Sequence, residues 1–337
     1  MKNLKKSSLI FTILSFLTLF TSANAELKVV VSIKPIHSLA SYLMDGVGKP
    51  SLIVDGYASP HWFAMKPSHA KMLQDADIVF WVGEDLENFL EKPLDSIAKK
   101  AEKIELLETK GLIKLKFRER NIFDDHDDHG HDDGHKKKDD HDDHDHDDHA
   151  KKEDGHDDHD DHDDHEGHNH GEFDPHIWLD PINAKVILFE MSKHLIENDP
   201  KNENAYRTNL SKAYKEIDKL TSDVTAELNQ SVASIVFHDA YQYFEKRFNV
   251  NILGAFTVNT DVMPGAEQLS EIREIIEHDK VVCVFSEPQF NPDIIKAVAK
   301  DMNIKTGVVD PLGATLNPSK DLYFDLIKNM SKSFKGC

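Results

Sequence analysis

The 337-residue sequence predicts an α/β protein of two lobes, each with a parallel sheet, joined by a long rigid linking helix. Two observations carry this prediction. Short apolar runs of strand length alternate with amphipathic stretches of helix length, which is typical of strands followed by crossover helices. Residues 201–230 contain no proline or glycine and repeat apolar side chains every three or four positions, which indicates one continuous helix.

The first 25 residues are predicted to be a cleavable secretory signal. A basic start precedes an apolar run at residues 9–20 and a small-residue end at residues 23–25. The run is shorter than the ~20 residues that span a bilayer. We therefore expect a chain that is exported to the periplasm, with its signal peptide removed.

Beyond the signal, seven apolar runs are predicted to be buried strands and four amphipathic stretches to be helices. The strands are expected at residues 29–33, 52–54, 78–82, 235–237, 252–254, 281–285 and 304–309, and the helices at residues 68–75, 86–99, 266–277 and 292–302. These elements predict an N-terminal lobe at residues 26–200, the linking helix at residues 201–230 and a C-terminal lobe at residues 231–337. Binding sites of parallel sheets form at the carboxyl ends of the strands.

Residues 124–170 are predicted to be a disordered metal-binding loop inside the N-terminal lobe. The segment holds 22 acids against 5 lysines, so it carries −17 of the net charge of −21. It has no aliphatic or aromatic side chain larger than Ala150, and so it cannot offset the entropy lost on ordering. Imidazoles spaced three apart beside carboxylates suit zinc and its neighbours among the divalent cations. Fourteen of the 21 histidines lie here: His126, His129, His131, His135, His141, His144, His146, His149, His156, His159, His162, His165, His168 and His170.

The charge distribution also excludes one class of partner. Outside the extreme N-terminus the chain has no basic run, and the rest of the fold carries about −4. A protein that binds nucleic acid by neutralising phosphates needs such a run. We therefore expect no nucleic-acid partner.

The two cysteines are predicted to form a disulfide bond. Cys283 lies in an apolar run, and Cys337 is the last residue. In an oxidising compartment such a pair is more often a disulfide than a metal site or a nucleophile. The bond would hold the C-terminus against the second lobe.

Three histidines outside the loop lie where a side chain can point into a cleft. His61 follows a proline in a turn after the strand at residues 52–54, and His238 directly follows the strand at residues 235–237. His176 lies between two Asp-Pro dipeptides. A single histidine in such a setting is more often structural, but the three as a set indicate one convergent site.

The sequence resembles the metal-specific substrate-binding proteins of bacterial ABC importers, most closely the zinc members of the ZnuA type. The resemblance rests on residues 34–39, 55–68 (DGYASPHWFAMKPS), 76–84, 174–181 (DPHIWLDP), 237–248 (FHDAYQYFEKRF), 264–265, 287–290 and 310–313. It implies a metal ion held between two lobes by His61, His176 and His238, with Asp310 at a position that can supply a carboxylate. It also implies delivery of the ion to an inner-membrane ABC permease with its cytoplasmic ATPase.

The third histidine distinguishes zinc from manganese. Manganese-type relatives, which this chain also resembles, carry a carboxylate at the position of His238, so the nitrogen-rich set favours Zn²⁺ as the transported ion rather than a catalytic cofactor. The fourth ligand is open between Asp310, Glu287 and water. Asp310 or water is preferred, because Pro60 lies where some relatives have an acidic residue.

Other histidines are expected to have structural or solvated roles. His37, near the start of a helix, is expected to cap that helix or to line the cleft. His69, His194 and His278 are expected to be solvated on polar helix faces.

Two functions of different classes fit three convergent histidines. The leading hypothesis is a monomeric zinc carrier. The alternative is a periplasmic zinc-dependent hydrolase with a zinc-activated water. A hydrolase needs a general acid or base and a substrate pocket beside the metal, and the sequence has neither an HExxH motif nor a nucleophile constellation with these histidines. A storage or surface-adhesin role would leave the three histidines unexplained.

Overall fold

Two parallel four-stranded sheets with helices packed on them form the described part of the chain, which confirms the predicted fold class. The computed structural model describes residues 26–123, 171–228, 232–258, 260 and 263–337. The predicted signal and the predicted loop at residues 124–170 lie outside these ranges. Within the described residues, we find no helix with the length and apolar character that crossing a membrane requires.

The strands and helices follow one another in the order expected for parallel sheets. The strands are β1 (Val29–Ile33), β2 (Ser51–Val54), β3 (Ile78–Trp81), β4 (Glu102–Glu105), β5 (Ser234–His238), β6 (Ile252–Thr257), β7 (Cys283–Ser286) and β8 (Lys305–Val308). The helices are α1 (Lys34–Leu43), α2 (Pro67–Asp75), α3 (Glu84–Ser96), α4 (Pro181–Asn198), α5 (Glu203–Glu227), α6 (Gln242–Phe248), α7 (Ala266–His278), α8 (Asp293–Met302) and α9 (Leu322–Gly336).

The two sheets share one topology. Their strand orders are β2-β1-β3-β4 and β6-β5-β7-β8, and all neighbouring strands are parallel. We call β1–β4 with α1–α3 the first lobe and β5–β8 with α6–α8 the second lobe. In each sheet the first strand in sequence, β1 or β5, has the second strand on one side and the third strand on the other. The strand order therefore changes direction between the first and third strands, and ligand sites form outside the strand ends at such a switch point. In the second lobe this point lies between β5 and β7.

The central strands are buried on both faces, as parallel sheets covered by helices require. All five residues of β1 and all four of β3 are buried. Strand β4 was not predicted, because its residues Glu-Lys-Ile-Glu form no apolar run. It pairs with β3 at the edge of the sheet, where charged side chains can reach solvent.

The long helix α5 begins at Glu203 and ends at Glu227, inside the predicted range of 201–230. Its 25 residues extend about 37 Å. One face is buried and packs against α1, α4 and α9. That face carries Tyr206, Asn209, Ala213, Ile217, Leu220 and Val224. The division of the chain into lobes at residues 200 and 230 stays a prediction.

A segment before the long helix crosses to the second lobe. Ile122 forms an antiparallel bridge with Gly254 in β6, and Asn121 Nδ2 donates to Phe256 O at 2.9 Å. Arg118 bonds Asp239 at 3.1 Å and also pairs with Glu245. The chain therefore contacts the second sheet before it reaches α4 and α5.

A second crossing runs back from the second lobe to the first. The buried Lys34 Nζ at the start of α1 donates to the carbonyl oxygens of Gly313, Ala314 and Leu316 at 3.2, 3.0 and 2.8 Å. The same ammonium lies 3.3 Å from Asp55. One charge thus joins the segment after β8 to the loop after β2, which leads to His61.

The predicted disulfide between Cys283 and Cys337 is confirmed. It joins the first residue of β7 to Cys337, with the two Cα atoms 5.8 Å apart and a sequence separation of 54. Phe334 of α9 packs on Phe285 of β7, with ring centres 4.9 Å apart. The bond therefore fixes a helix that already packs on its strand.

Replacing both cysteines by alanine is expected to lower the free energy of unfolding by about 4 kcal/mol, because the unfolded chain gains the entropy of an open loop of this length. Denaturant unfolding of the double variant measures the loss. Each single alanine variant breaks the same bond and serves as its matched control. A double variant as stable as the unsubstituted protein would contradict the prediction.

A buried carboxyl group holds the end of β3 against α3. Glu87 is fully buried, and its Oε2 accepts hydrogen bonds from Val82 N at 2.7 Å and Gly83 N at 3.1 Å. Burial raises the pKa of Glu87 to about 7, and Glu105 nearby raises it further, although the two N–H donors oppose the shift. Below about pH 7 the native state therefore favours the protonated acid.

Glu87→Gln is expected to become more stable relative to the unsubstituted protein as pH rises from about 4.5 to about 8. The folded pKa is raised, so the stability contributed by the neutral acid is present at low pH and is lost as pH rises through 7, whereas the amide keeps an accepting oxygen and does not ionise. Between these pH values the stability of Glu87→Gln relative to the unsubstituted protein should rise by at most about 3 kcal/mol.

Denaturant midpoints of both proteins across this pH range measure the difference. Glu91→Gln, at an exposed position of the same helix, is the matched control. A Glu87→Gln variant whose stability difference does not change with pH would contradict a neutral buried acid.

Candidate metal centre

His61 lies in a short turn that follows β2 after a loop at residues 55–59. The turn spans Pro60–Trp62, and Ser59 Oγ accepts a hydrogen bond from His61 N at 3.3 Å. Proline fixes the backbone at the start of the turn, and α3 packs against it. The half-buried imidazole is thereby held at the carboxyl end of the first sheet.

His176 lies in the loop that enters α4. Asp174 Oδ1 accepts from His176 N at 2.9 Å and from His176 Nδ1 at 2.7 Å, so one carboxylate fixes both the loop and the ring. The neighbouring Trp178 is fully buried and donates from Nε1 to Pro311 O at 2.8 Å. The His176 loop is therefore anchored to the segment after β8.

Asp180 ties the same loop to the second lobe. Its Oδ1 accepts from Ile182 N at 2.8 Å and caps α4. Arg247 of α6 donates to both carboxylate oxygens at 2.7 Å. This bidentate ion pair is stronger and more restricted in geometry than a single hydrogen bond.

His238 is the last residue of β5. Its Nδ1 lies 2.7 Å from Glu287 Oε1, and Glu287 directly follows the neighbouring strand β7. Both groups therefore lie at the point of the second sheet where ligand sites form. Glu287 was predicted only as a possible metal ligand and not as the partner of His238 Nδ1, because the adjacency of β5 and β7 cannot be read from the sequence.

The three histidines converge, as the sequence analysis predicted for the set. Their ring centres are 5.6 Å (His61 to His176), 5.8 Å (His61 to His238) and 5.3 Å (His176 to His238) apart. One ring nitrogen of each lies within 4.8 Å of those of the other two. The cavity that they line has room for one water-sized group. Its other walls are Ser59, Pro60, Leu86, Trp178, Glu287, Gln289, Phe290, Pro311 and Leu312.

Two imidazoles present acceptor nitrogens to each other. Carboxylates accept at the Nδ1 atoms of His176 and His238, so in the neutral form of each ring Nδ1 carries the proton and Nε2 keeps its lone pair. The two Nε2 atoms are 3.4 Å apart. Nitrogens about 2.05 Å from a tetrahedral zinc ion lie about 3.3 Å from each other. The pair therefore already has the spacing of two zinc ligands.

Burial keeps His176 in the form that binds metal. Removal from water lowers the pKa of His176 well below its ordinary value of 6.5, and the neighbouring His238 lowers it further. A neutral imidazole is the ligand form, so this group needs no deprotonation near neutral pH.

Asp310 does not lie in the group formed by the three histidines. Its Oδ1 accepts from Gln289 Nε2 at 3.0 Å and from Leu312 N at 3.2 Å, and its Oδ2 accepts from Thr315 N at 3.4 Å. Its carboxylate is thus already used by the segment around it. Its assignment as a ligand stays a prediction.

Three of the four histidines assigned other roles differ from the prediction, and only His278 agrees with it. His69 is buried, and its Nδ1 accepts from Lys66 N at 3.2 Å where the chain turns into α2. His194 is buried between carboxylates, because the missed strand β4 places Glu102 beside α4. His278 is exposed, as expected. His37 donates toward Pro50 O, 3.1 Å away, and lies outside the cavity.

The His194 cluster is the second place among the described residues where ligand-type side chains gather. It combines His194 with Glu102 and Glu197. The imidazole lies 2.7 Å from Glu102 and 2.9 Å from Glu190, and Asn198 donates to Glu102 at 2.7 Å. Its polar atoms satisfy one another, so the cluster is explained as an ion-paired anchor between β4 and α4.

The chain is similar over nearly its whole length to a family of periplasmic proteins. The family model described as ZnuA, zinc-uptake complex component A, periplasmic, matches residues 29–337. The High-affinity zinc uptake system protein ZnuA of Brucella abortus (strain 2308) is 45% identical over 340 residues, which cover 100% of this chain and 99% of the relative. The protein of the same name from Yersinia pestis is 35% identical over 321 residues, 93% of this chain and 92% of the relative.

The fold has a counterpart among solved structures. A crystal structure of ZnuA superposes with a TM-score of 0.70 at 20% sequence identity, covering 93% of this chain and 99% of that chain. At this identity the likeness supports the fold, namely two lobes with parallel sheets.

Proposed function

Because this chain belongs to the ZnuA family of periplasmic zinc-uptake components, we propose that it is the high-affinity zinc-binding component of an ABC importer. It captures periplasmic Zn²⁺ between its two lobes and delivers the ion to an inner-membrane permease driven by a cytoplasmic ATPase. It acts as a monomer after export and removal of residues 1–25.

One observation carries this proposal: three imidazoles from separate parts of the chain meet around a cavity of atomic size. His61 comes from the first lobe, His238 from the second, and His176 from the loop between them. Two of the rings are oriented by buried carboxylates, as metal-binding histidines in proteins usually are. The ligand atoms fit a small, bare cation rather than an organic ligand.

The donor set favours zinc over manganese. Three imidazole nitrogens suit zinc and the later transition metals, whereas manganese prefers sites richer in carboxylate oxygen. The Nε2 atoms of His176 and His238 are 3.4 Å apart, which is the spacing of two ligands of a tetrahedral zinc ion. The manganese-type alternative is therefore disfavoured by the ligands themselves.

The same site argues against the hydrolase alternative. A zinc hydrolase needs room beside the metal for a substrate carbonyl or phosphoryl group as well as an activated water. The cavity has room for one water-sized group, and most of its walls are apolar or aromatic side chains and prolines. The proposed role is thus that of a carrier and not of an enzyme. Turnover of ester or phosphoester substrates by the zinc-loaded protein would overturn this assignment.

Replacing His176 and His238 together by alanine is expected to abolish tight zinc binding, because two of three protein ligands are lost. Mutation of a residue that only hydrogen-bonds to a metal ligand lowers metal affinity by up to roughly 100-fold. Loss of two ligands should lower zinc affinity by more than that. Competition with a chelator of known affinity measures it, in protein lacking residues 124–170 so that only this site is titrated. The pair His61 and His238 should give the same result.

The matched control is His278→Ala, which removes an exposed imidazole of α7. Its zinc affinity should equal that of the unsubstituted protein. Nanomolar-class binding that survives either double replacement would refute the assignment of the site.

Residues 124–170 are proposed to collect zinc at lower affinity and to pass it to the cleft. The two attachment points support this role: Phe123 N donates to Leu253 O in the second lobe, and Gly171 N donates to Asp85 Oδ1 in the first. His176 lies only five positions after Gly171, at most about 17 Å of extended chain. Ions held near residue 170 therefore have a high effective concentration at the site.

Deleting residues 124–170 is expected to remove several weak equivalents of bound zinc and to leave one tight equivalent. Many overlapping two- or three-ligand arrangements exist in this segment, so no single geometry is preorganised. Calorimetric titration of the deleted and complete proteins measures both classes of site. Loss of the tight equivalent with the deletion would mean that the segment supplies a primary ligand.

A further inference from the structure

The side chain of Gln289 lies between the zinc cavity and Asp310. It lines the cavity with the three histidines, and its Nε2 donates to Asp310 Oδ1 at 3.0 Å. A carboxylate has only acceptor atoms, so the amide must turn its NH₂ group toward Asp310. This contact fixes the orientation of the amide and directs its oxygen away from Asp310.

That oxygen is a buried acceptor. Gln289 Oε1 is shielded from solvent and has no hydrogen-bond partner among the described residues. Buried carbonyl oxygens almost always accept a hydrogen bond, so this one calls for a donor. The open space that Gln289 lines is the cavity of the three histidines.

We propose that Gln289 positions a water molecule as the fourth ligand of the bound zinc ion, and that Asp310 acts through Gln289 instead of touching the metal. The inference rests on the proposed zinc site and deepens it. Zinc polarises its bound water and makes it a strong donor, which matches Gln289 Oε1, one of two acceptors lining this cavity, with Glu287 Oε2, that lack a partner. Gln289 is then a positioning residue, and Asp310 sets the direction of its amide.

The surroundings of Asp310 favour this indirect role. Its two oxygens receive three hydrogen bonds, two of them from backbone N–H groups of the turn after β8. It lines a separate cavity behind that turn together with Pro288 and Met330, and not the cavity of the histidines. In this position its oxygens lie outside the group of ligand atoms that the three histidines form.

The two roles predict different results for four variants: Gln289→Leu, Asp310→Ala, their combination, and Asp310→Asn. If Asp310 acts through Gln289, Gln289→Leu and Asp310→Ala each lower zinc affinity by about 10-fold. This is the low end of the effect of replacing a residue that hydrogen-bonds to a metal ligand. Their combination lowers it no further. Asp310→Asn keeps an oxygen for Gln289 Nε2 and should retain the affinity of the unsubstituted protein.

A direct ligand gives the opposite pattern. Asp310→Asn would then lose affinity as Asp310→Ala does, and the combined variant would lose more than either single variant. The ligand-field spectrum of the chain with one equivalent of Co²⁺ provides a second readout. It should keep its tetrahedral intensity in Asp310→Asn, and a changed coordination number there would overturn the proposal.

Controls separate this inference from the function on which it rests. Gln74→Leu removes an exposed glutamine of α2 and should bind zinc normally. If the unsubstituted chain holds no tight zinc, the proposed function fails. If it binds zinc tightly and Gln289→Leu binds equally well, only the role of Gln289 fails. Melting of the metal-free variants tests folding, and the comparison of Asp310→Asn with Asp310→Ala decides the matter if Gln289→Leu does not fold.

Discussion

The site depends on two hydrogen bonds between buried carboxylates and imidazoles. Asp174 and Glu287 each accept from an Nδ1–H, which leaves the Nε2 lone pairs of His176 and His238 facing each other at 3.4 Å. Two lone pairs at this distance repel each other unless an electron-poor atom lies between them. Both rings are oriented by buried carboxylates, so the fold presents an arrangement that a cation stabilises.

The surrounding fold supplies the rigidity that this arrangement needs. His238 and Glu287 lie at the ends of adjacent strands of one sheet, so their relative position is set by the backbone ladder. His176 is less protected, because it lies in a loop. Two contacts with the second lobe and the segment after it compensate: Trp178 bonds the segment after β8, and Arg247 holds the carboxylate that caps α4. Each ligand is therefore fixed by a different kind of restraint.

Much of this could be predicted from the sequence, and the limits have physical reasons. Apolar runs mark strands buried on both faces, so β1, β3 and β5 were found close to their true bounds, whereas the charged edge strand β4 gave no such signal. The three histidines could be selected because each follows a strand or lies beside prolines. Their carboxylate partners could not, since the order of strands in a sheet is a property of the fold. The missed β4 also explains why His194 was expected in solvent.

The two crossings of the chain have a mechanical consequence. The lobes are connected by α5, by the segment ending at Phe123 and by the segment that Lys34 holds, and so they form a closed linkage instead of a hinge with one axis. In a closed linkage, a rotation about one connection must deform the others. A wide opening would have to break the contacts of Arg118 and Lys34 at once. Uptake and release of the ion therefore call for local displacements of the ligand-bearing segments.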